Sequence, residues 1–275
     1  MNRHDELTTM LKTLKLPAIA ASFPDLALKA AREGATHEVF LYAVVRAECE
    51  QRDQRRIDRL QHQSGLPAEK TFRTLKLALF SPLIQQQVER LRTGQFIAEA
   101  LNIVAVGKPG AGKSHLLAAI GHELVSQGYR VRWCATASLV QQLLAAKRDL
   151  RLPQLLAQLD RCDLLILDDI GYVQHDRDEM EVMFTLLAER YERRSVALTT
   201  NLVFSEWIRI FKDPMTTLAA IDRVVHHAVI LDLMGMDSYR AMEAGTHTKN
   251  GDAHSDAAQG DRRTASTPRT EETTP

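Results

Sequence analysis

The sequence predicts an α/β fold: a parallel sheet with helices on both faces, preceded by a small all-helical region. Three observations lead there. From Asn102 onward, short apolar runs with strand character alternate with runs of helical period, the pattern of successive βα units. The first of these strands leads into Gly107-Lys-Pro-Gly-Ala-Gly-Lys-Ser114, a complete G-x-x-x-x-G-K-[ST] stretch in strand–loop–helix context. Up to about residue 65, by contrast, apolar residues recur at spacings of three and four, and nothing reads as a strand.

The helical region comes first. Leu7, Leu11 and Leu14 open the apolar spacing, Leu26 and Ala30 resume it after Phe23-Pro24, and Val39, Phe40, Ala43, Val44 and Ala47 carry it on, with Thr36 as a candidate N-cap. This last helix then becomes highly charged, with Arg46, Arg52, Arg55, Arg56 and Arg59 among Glu48, Glu50, Asp53 and Asp58. Two readings are open: a solvated face laced with i,i+4 ion pairs, or a face whose arginines meet nucleic-acid phosphates. Gly65-Leu-Pro67 ends the helix, and residues 68–101 hold one more amphipathic segment through Ile84, Val88 and Leu91, ended by Gly94. These signals divide the chain into a helical N-terminal region (1–66), a connector (67–101), a nucleotide-binding domain (102–244) and a tail (245–275). The tail has almost no apolar side chains and is expected to be disordered.

Within the nucleotide-binding domain, expected strands are Ile103–Val106, Arg130–Cys134, Asp163–Leu167, Ser195–Thr199 and Val229–Leu231. Expected helices follow the glycine-rich stretch, start at a Thr136 cap, carry Met180, Met183, Phe184, Leu187 and Tyr191 toward the core, start at a Ser205 cap, and run from Ala219 to Ala228. Ligand then belongs at the carboxyl ends of the strands.

Composition narrows the function. The 275 residues suit one large domain or two small ones. An apolar fraction of 45% and a charged fraction of 25% are ordinary for a soluble globular protein. No apolar run approaches a membrane span, and the first residues carry no signal-peptide pattern. Three scattered cysteines, Cys49, Cys134 and Cys162, are expected as reduced, buried thiols in a cytoplasmic protein. Formal net charge is zero, so any attraction for a polyanion must come from a local face.

The chemistry lies in the residue types. Gly107, Gly110 and Gly112 let the backbone turn its N–H groups onto phosphate oxygens, and the dipole of the following helix adds positive potential. The loop as a whole, with Pro109, Ala111 and His115 beside those glycines, is the expected cradle for the phosphates of ATP. Lys113 is expected at the β- and γ-phosphates and the Ser114 hydroxyl on Mg²⁺. Leu164-Leu-Ile-Leu-Asp-Asp169 is an apolar strand ending in two acids. Asp168 is expected to hold Mg²⁺ and Asp169 to orient or deprotonate an attacking water. Asn201, after Thr199-Thr200, could contact the γ-phosphate or that water, or simply form a turn. Arg223 could reach the γ-phosphate of a neighbouring subunit, or pair locally with Asp222 or Asp232. A small-molecule kinase uses the same loop, but the TTN and DR patterns speak against one.

The segments GKPGAGKSHL, LLILDDIG, ALTTNLVFSEW, AAIDRVVHHA and DSYR, in this order, resemble the IstB family of transposition helper ATPases, a branch of the AAA+ proteins close to the helicase loader DnaC and the initiator DnaA. ELTTMLKTLKLPAIA and the RAECEQRDQRR helix resemble the same family, so the likeness runs from about residue 5 to residue 243. It implies a five-stranded parallel P-loop AAA+ sheet flanked by helices, with the sensor strand between the Mg-aspartate strand and the phosphate-loop strand. It further implies that Asn201 is the sensor-type polar residue, Arg223 the finger offered to a neighbour and Arg240 a second phosphate contact. The helical N-terminal region becomes DNA-binding, with Arg52, Arg55, Arg56 and Arg59 on phosphates. The implied partners are double-stranded DNA, a homo-oligomer assembled with ATP, and a transposase; a helicase loader acting as an adaptor is the alternative. The sequence departs from the AAA+ pattern at Asp169, where most members carry Glu.

Overall fold

The computed structural model describes residues 3–170, 177–207 and 222–236. Three helices come first: α1 (Arg3–Thr13), α2 (Pro17–Glu33) and α3 (His37–Ser64). Thr36 caps α3, accepting the Val39 N–H at 3.4 Å, as its position before the apolar run predicts. Gly34 and Gly65 end α2 and α3 in the left-handed conformation. The turn between α1 and α2 is clasped by a carboxylate from α3. Glu48 is buried, and its Oε2 accepts the N–H groups of Ala18 and Ile19 at 2.9 and 3.2 Å, two of the unpaired donors at the α2 N-terminus. Its Oε1 accepts from Arg52 Nε at 2.9 Å, and Arg52 Nη2 donates to Lys15 O at 2.8 Å.

Residues 66–101 run across the body of the protein rather than away from it. They carry a 3₁₀ turn at Leu77–Leu79, α4 (Pro82–Arg92) and α5 (Gln95–Ala98). Leu66, Leu75, Phe80, Ile84, Val88 and Leu91 are all buried in one cluster with one face of the sheet.

That sheet has five parallel strands, β1 (Asn102–Val106), β2 (Val131–Ala135), β3 (Leu164–Asp168), β4 (Ser195–Thr200) and β5 (Ala228–Asp232), in the order β2-β3-β4-β1-β5. The helices between them are α6 (Lys113–Ser126), α7 (Thr136–Arg148), α8 (Leu152–Asp160) and α9 (Arg177–Arg190). Strand residues alternate between two cores. Ile103, Ala105, Leu164, Ile166 and Ala197 face α4, α5 and α6, whereas Val104, Val106, Leu165, Leu167, Val196 and Leu198 face α7 and α9. The result is a three-layer sandwich, with strands buried on both faces and therefore continuous in apolar character.

Three expectations are corrected. Thr136 does not cap α7: the cap is Ala135, and the threonine hydroxyl instead donates to the Asp168 carbonyl at 2.8 Å. The expected helix from Ala219 stops short of Ala228, because hydrogen bonding to β1 draws Ala228 into β5. The thiols are not buried: Cys49 is exposed, and Cys134 and Cys162 are half-buried. The helix expected after Ser205 falls largely outside the described residues, as do Arg240 and the 245–275 tail. No helix among the described residues is long and apolar enough to cross a membrane.

Candidate nucleotide site

The strand order places β4 between the phosphate-loop strand β1 and the acidic strand β3. The carboxyl ends of three strands therefore converge. Residues 107–112 leave β1 and enter α6, and Gly107 N donates to Thr200 O at 3.1 Å, fastening the loop to the end of β4. At Gly112, with φ at 89°, only glycine is unstrained. At Gly107 a Cβ would meet Leu233 Cβ at 2.9 Å and its carbonyl carbon at 3.1 Å, so the exit of β5 leans on the loop. Ala111 is fully buried beneath it. Pro109 and Gly110 form the tip, Gly110 also with a positive φ of 85°. Lys113 curls over the loop, its Nζ donating to Gly107 O at 2.7 Å and Lys108 O at 3.0 Å. The His115 side chain turns the other way, its Nε2 within 3.2 Å of Thr71 O and 3.1 Å of Thr74 Oγ1.

Asp168 is the hub. Its Oδ1 accepts from Ser114 Oγ at 2.7 Å and from Thr199 Oγ1 at 2.8 Å. Thr199 Oγ1 accepts in turn from Asp169 N at 2.7 Å, and Ile170 N donates to Thr199 O at 3.0 Å. One buried threonine thus fixes the metal-type carboxylate and the backbone of the next acid together. A serine hydroxyl meeting a carboxylate oxygen is a hard-oxygen donor set, the kind that suits Mg²⁺. Asp169 sits at φ 63°, in the left-handed region that Asp and Asn tolerate best. Desolvation pushes its carboxyl above the ordinary carboxylate range; the charge of Asp168 adds to this and Lys113 opposes it.

Asn201 follows β4 at the same edge. Its Oδ1 is buried and has no hydrogen-bond partner among the described residues, an unsatisfied acceptor one residue beyond β4. Arg223 is not brought to this edge. Its carbonyl and that of Val224 accept from Asn102 Nδ2 at 3.3 and 3.1 Å, and Asn102 begins β1, at the end opposite the phosphate loop. The Arg223 guanidinium lies over the Phe184 ring of α9, 4.6 Å from its centroid. The α3 arginines have partners away from this edge or stand exposed. Arg52 is engaged by Glu48, Arg55 donates to Gln51 Oε1 on its own helix at 2.6 Å, and Arg56 donates to Gly128 O at 3.2 Å. Arg59 is exposed.

Three residues that matter escaped the sequence reading. Thr199 reads as an ordinary strand former, although its place in Thr199-Thr200-Asn201 at a strand end was a usable signal. Asn102 accepts from Val196 N at 2.9 Å as well as donating to the 223–224 carbonyls, so it ties β4 and the Arg223 segment to β1. Arg190 is buried and donates to Leu159 O, Cys162 O and Ser195 O, and burial draws its pKa down to about 10.

Residues 9–246 match the family described as IstB-like ATP binding protein. The chain belongs to this family. An insertion-sequence ATP-binding protein of Sinorhizobium fredii is 44% identical over 245 residues, covering 88% of this chain and 82% of the relative. The IS21 ATP-binding protein of Pseudomonas aeruginosa is 35% identical over 249 residues, covering 89% and 93%. Among solved structures, AMPPCP-bound DnaA from Aquifex aeolicus aligns at 18% identity with a TM-score of 0.54, covering 69% of this chain and 57% of DnaA. DnaI aligns at 18% identity with a TM-score of 0.52, covering 62% and 95%. The fold is thus shared with DnaA and DnaI, and the family match spans both the N-terminal helices and the sheet.

Proposed function

We propose that this IstB-like chain binds ATP with Mg²⁺, hydrolyses it slowly, and uses the nucleotide to assemble on duplex DNA as a helper to a transposase. The observation that carries the proposal is the hydrogen-bonded chain Ser114–Asp168–Thr199–Asp169 beside the Lys113 loop, in a protein of this family. Backbone N–H groups of 107–115 and the Lys113 ammonium are assigned to the phosphates. Ser114 and Asp168 would hold the Mg²⁺, which neutralises phosphate charge when bound. Asp169 accepts a proton from the attacking water, and Asn201 orients the water or the γ-phosphate. Arg223, at the opposite edge of its own sheet, is assigned to the site of a neighbouring subunit, so assembly completes the catalytic set. The functional division is a DNA-contacting helical region to residue 66 and an ATPase body beyond it.

The test is sedimentation with duplex DNA, with and without ATP·Mg²⁺. ATP-dependent DNA-bound assemblies that vanish in Lys113→Ala and persist in Asp169→Asn are expected. A nucleotide-indifferent monomer that ignores DNA would overturn the proposal in favour of a helicase-loader adaptor.

A further inference from the structure

A wide groove lies away from the phosphate loop. It lies where α3 meets the β2 edge of the sheet, holds about 770 Å³, and is lined by five arginines: Arg56 and Arg59 from α3, Arg130 and Arg132 at β2, and Arg161 after α8. All five are exposed, no carboxylate lines the groove, and none of the five forms an ion pair with any described residue. The nearest acids are committed elsewhere. Asp163 accepts the Arg130 backbone N–H and pairs with Arg194 at 3.1 Å, and Asp160 pairs with Arg193 at 3.0 Å. Arg56 and Arg132 donate to carbonyls, those of Gly128 and Gln63, which orient the guanidiniums without neutralising them. A chain with zero net charge thus gathers around one trough five guanidiniums that no described carboxylate neutralises, a local field that a polyanion relieves.

We infer that this groove is a seat for the phosphate backbone of duplex DNA, gripped from both sides of the junction between α3 and the ATP-binding sheet. The inference rests on the DNA-binding reading above and assigns its surface. Duplex is favoured over single strand because no aromatic ring lines the groove, and single-strand channels rely on stacking platforms. The lining offers guanidiniums over an apolar floor, which holds phosphates without reading bases. Two of the five, Arg56 and Arg59, were legible as DNA candidates. Arg130, Arg132 and Arg161 come to them only through the fold.

The test is fluorescence anisotropy of a labelled random-sequence 40-base-pair duplex with ATP analogue and Mg²⁺, from 50 to 200 mM salt. The variant is Arg130→Ala/Arg161→Ala, outside the nucleotide machinery. Affinity should fall at least about tenfold and the log–log salt slope by about 2, roughly one for each phosphate no longer gripped. Nucleotide affinity should stay unchanged, and Arg130→Lys/Arg161→Lys should recover most of the slope. Should the double variant lose nucleotide binding, Arg161→Ala alone, at an exposed position, is read the same way with a slope change of about 1. Wild-type binding that the variants leave unaltered overturns the groove while the DNA reading stands. A wild type that binds no duplex overturns both. Equal affinity for single strand of the same length overturns the duplex assignment.

Discussion

The sheet and the three N-terminal helices are held together by different physics. In the sheet, Ile103, Val104, Ala105, Leu164, Leu165 and Ile166 have no exposure at all, and helices cover both faces. In the N-terminal helices, Ala18 and Val44 are the buried apolar side chains, α1 buries none, and Leu41 and Tyr42, like Leu14 in the turn after α1, stand more than 60% exposed. What fixes α2 on α3 there is in good part the Glu48 clasp. A body packed on both faces holds a catalytic constellation within tenths of an ångström. A thin helical layer with exposed apolar side chains is suited to repositioning against partners, at the low-stability end of the molecule.

This contrast is broken most strongly in the body. Leu124→Ala in α6 removes a fully buried side chain and should destabilise the sheet domain by about 2–5 kcal/mol, measured by denaturant unfolding. Next comes Thr199→Val, nearly isosteric, which deletes the hydroxyl shared by Asp168 Oδ1 and Asp169 N. It should lower ATP turnover by about 10–100-fold, the range for an outer partner of a metal ligand, with nucleotide affinity changed less. Glu48→Ala strips the α2 N-terminus of its acceptor and should cost about 1–3 kcal/mol, confined to α1–α3 and read as lost amide protection in α2. Leu14→Ala, at an exposed site, should stay within about 0.5 kcal/mol.

Acid sharpens the same contrast. Burial alone would raise the Glu48 carboxyl, but the Ile19 N–H, Arg52 and the Ala18 N–H outweigh it and hold the pKa below its ordinary value. A group depressed in the folded state stabilises fully above its unfolded pKa, about 4.3, and loses that contribution as pH falls through the folded value. The α2 amides should therefore lose protection below about pH 4 before those of β1 and β4, in hydrogen exchange across an acid series. Uniform loss of protection would mean that Glu48 does not carry the clasp.

How much was legible follows from how local each signal is. The strands of the body, the phosphate loop, Asp168 and the Thr36 cap depend on residues a few positions apart, so period and motif exposed them. The strand order came only with the family resemblance. Thr199, Asn102 and the Glu48 clasp depend on partners 30 or more residues away, and a threonine, an asparagine or a helical glutamate carries no mark of such a partner. Thr136 was misread because a threonine opening a helix is usually a cap, and here a third element claimed its hydroxyl. The departure at Asp169 was visible in the sequence, but its reason was not. At φ 63° an aspartate is better tolerated than the longer glutamate, so backbone geometry accounts for the residue that the motif comparison singled out. The same geometry suits Asn, which makes Asp169→Asn a clean chemical substitution.

The segment between α3 and the sheet is bolted to α6 at two levels. His115, one turn from the phosphate loop, bonds Thr71 O, while His122, two turns further on, bonds Pro67 O at 2.9 Å and Gln61 on α3 at 3.0 Å. The helix that begins at the phosphate loop is thus linked through this segment to the helix that carries Arg56 and Arg59. Such a link works in both directions, as free energies of linkage must. On the proposed function, whatever factor ATP adds to the affinity for DNA, DNA returns in full to the affinity for ATP, so a DNA-bound subunit would stay charged with nucleotide at concentrations that leave a free one empty.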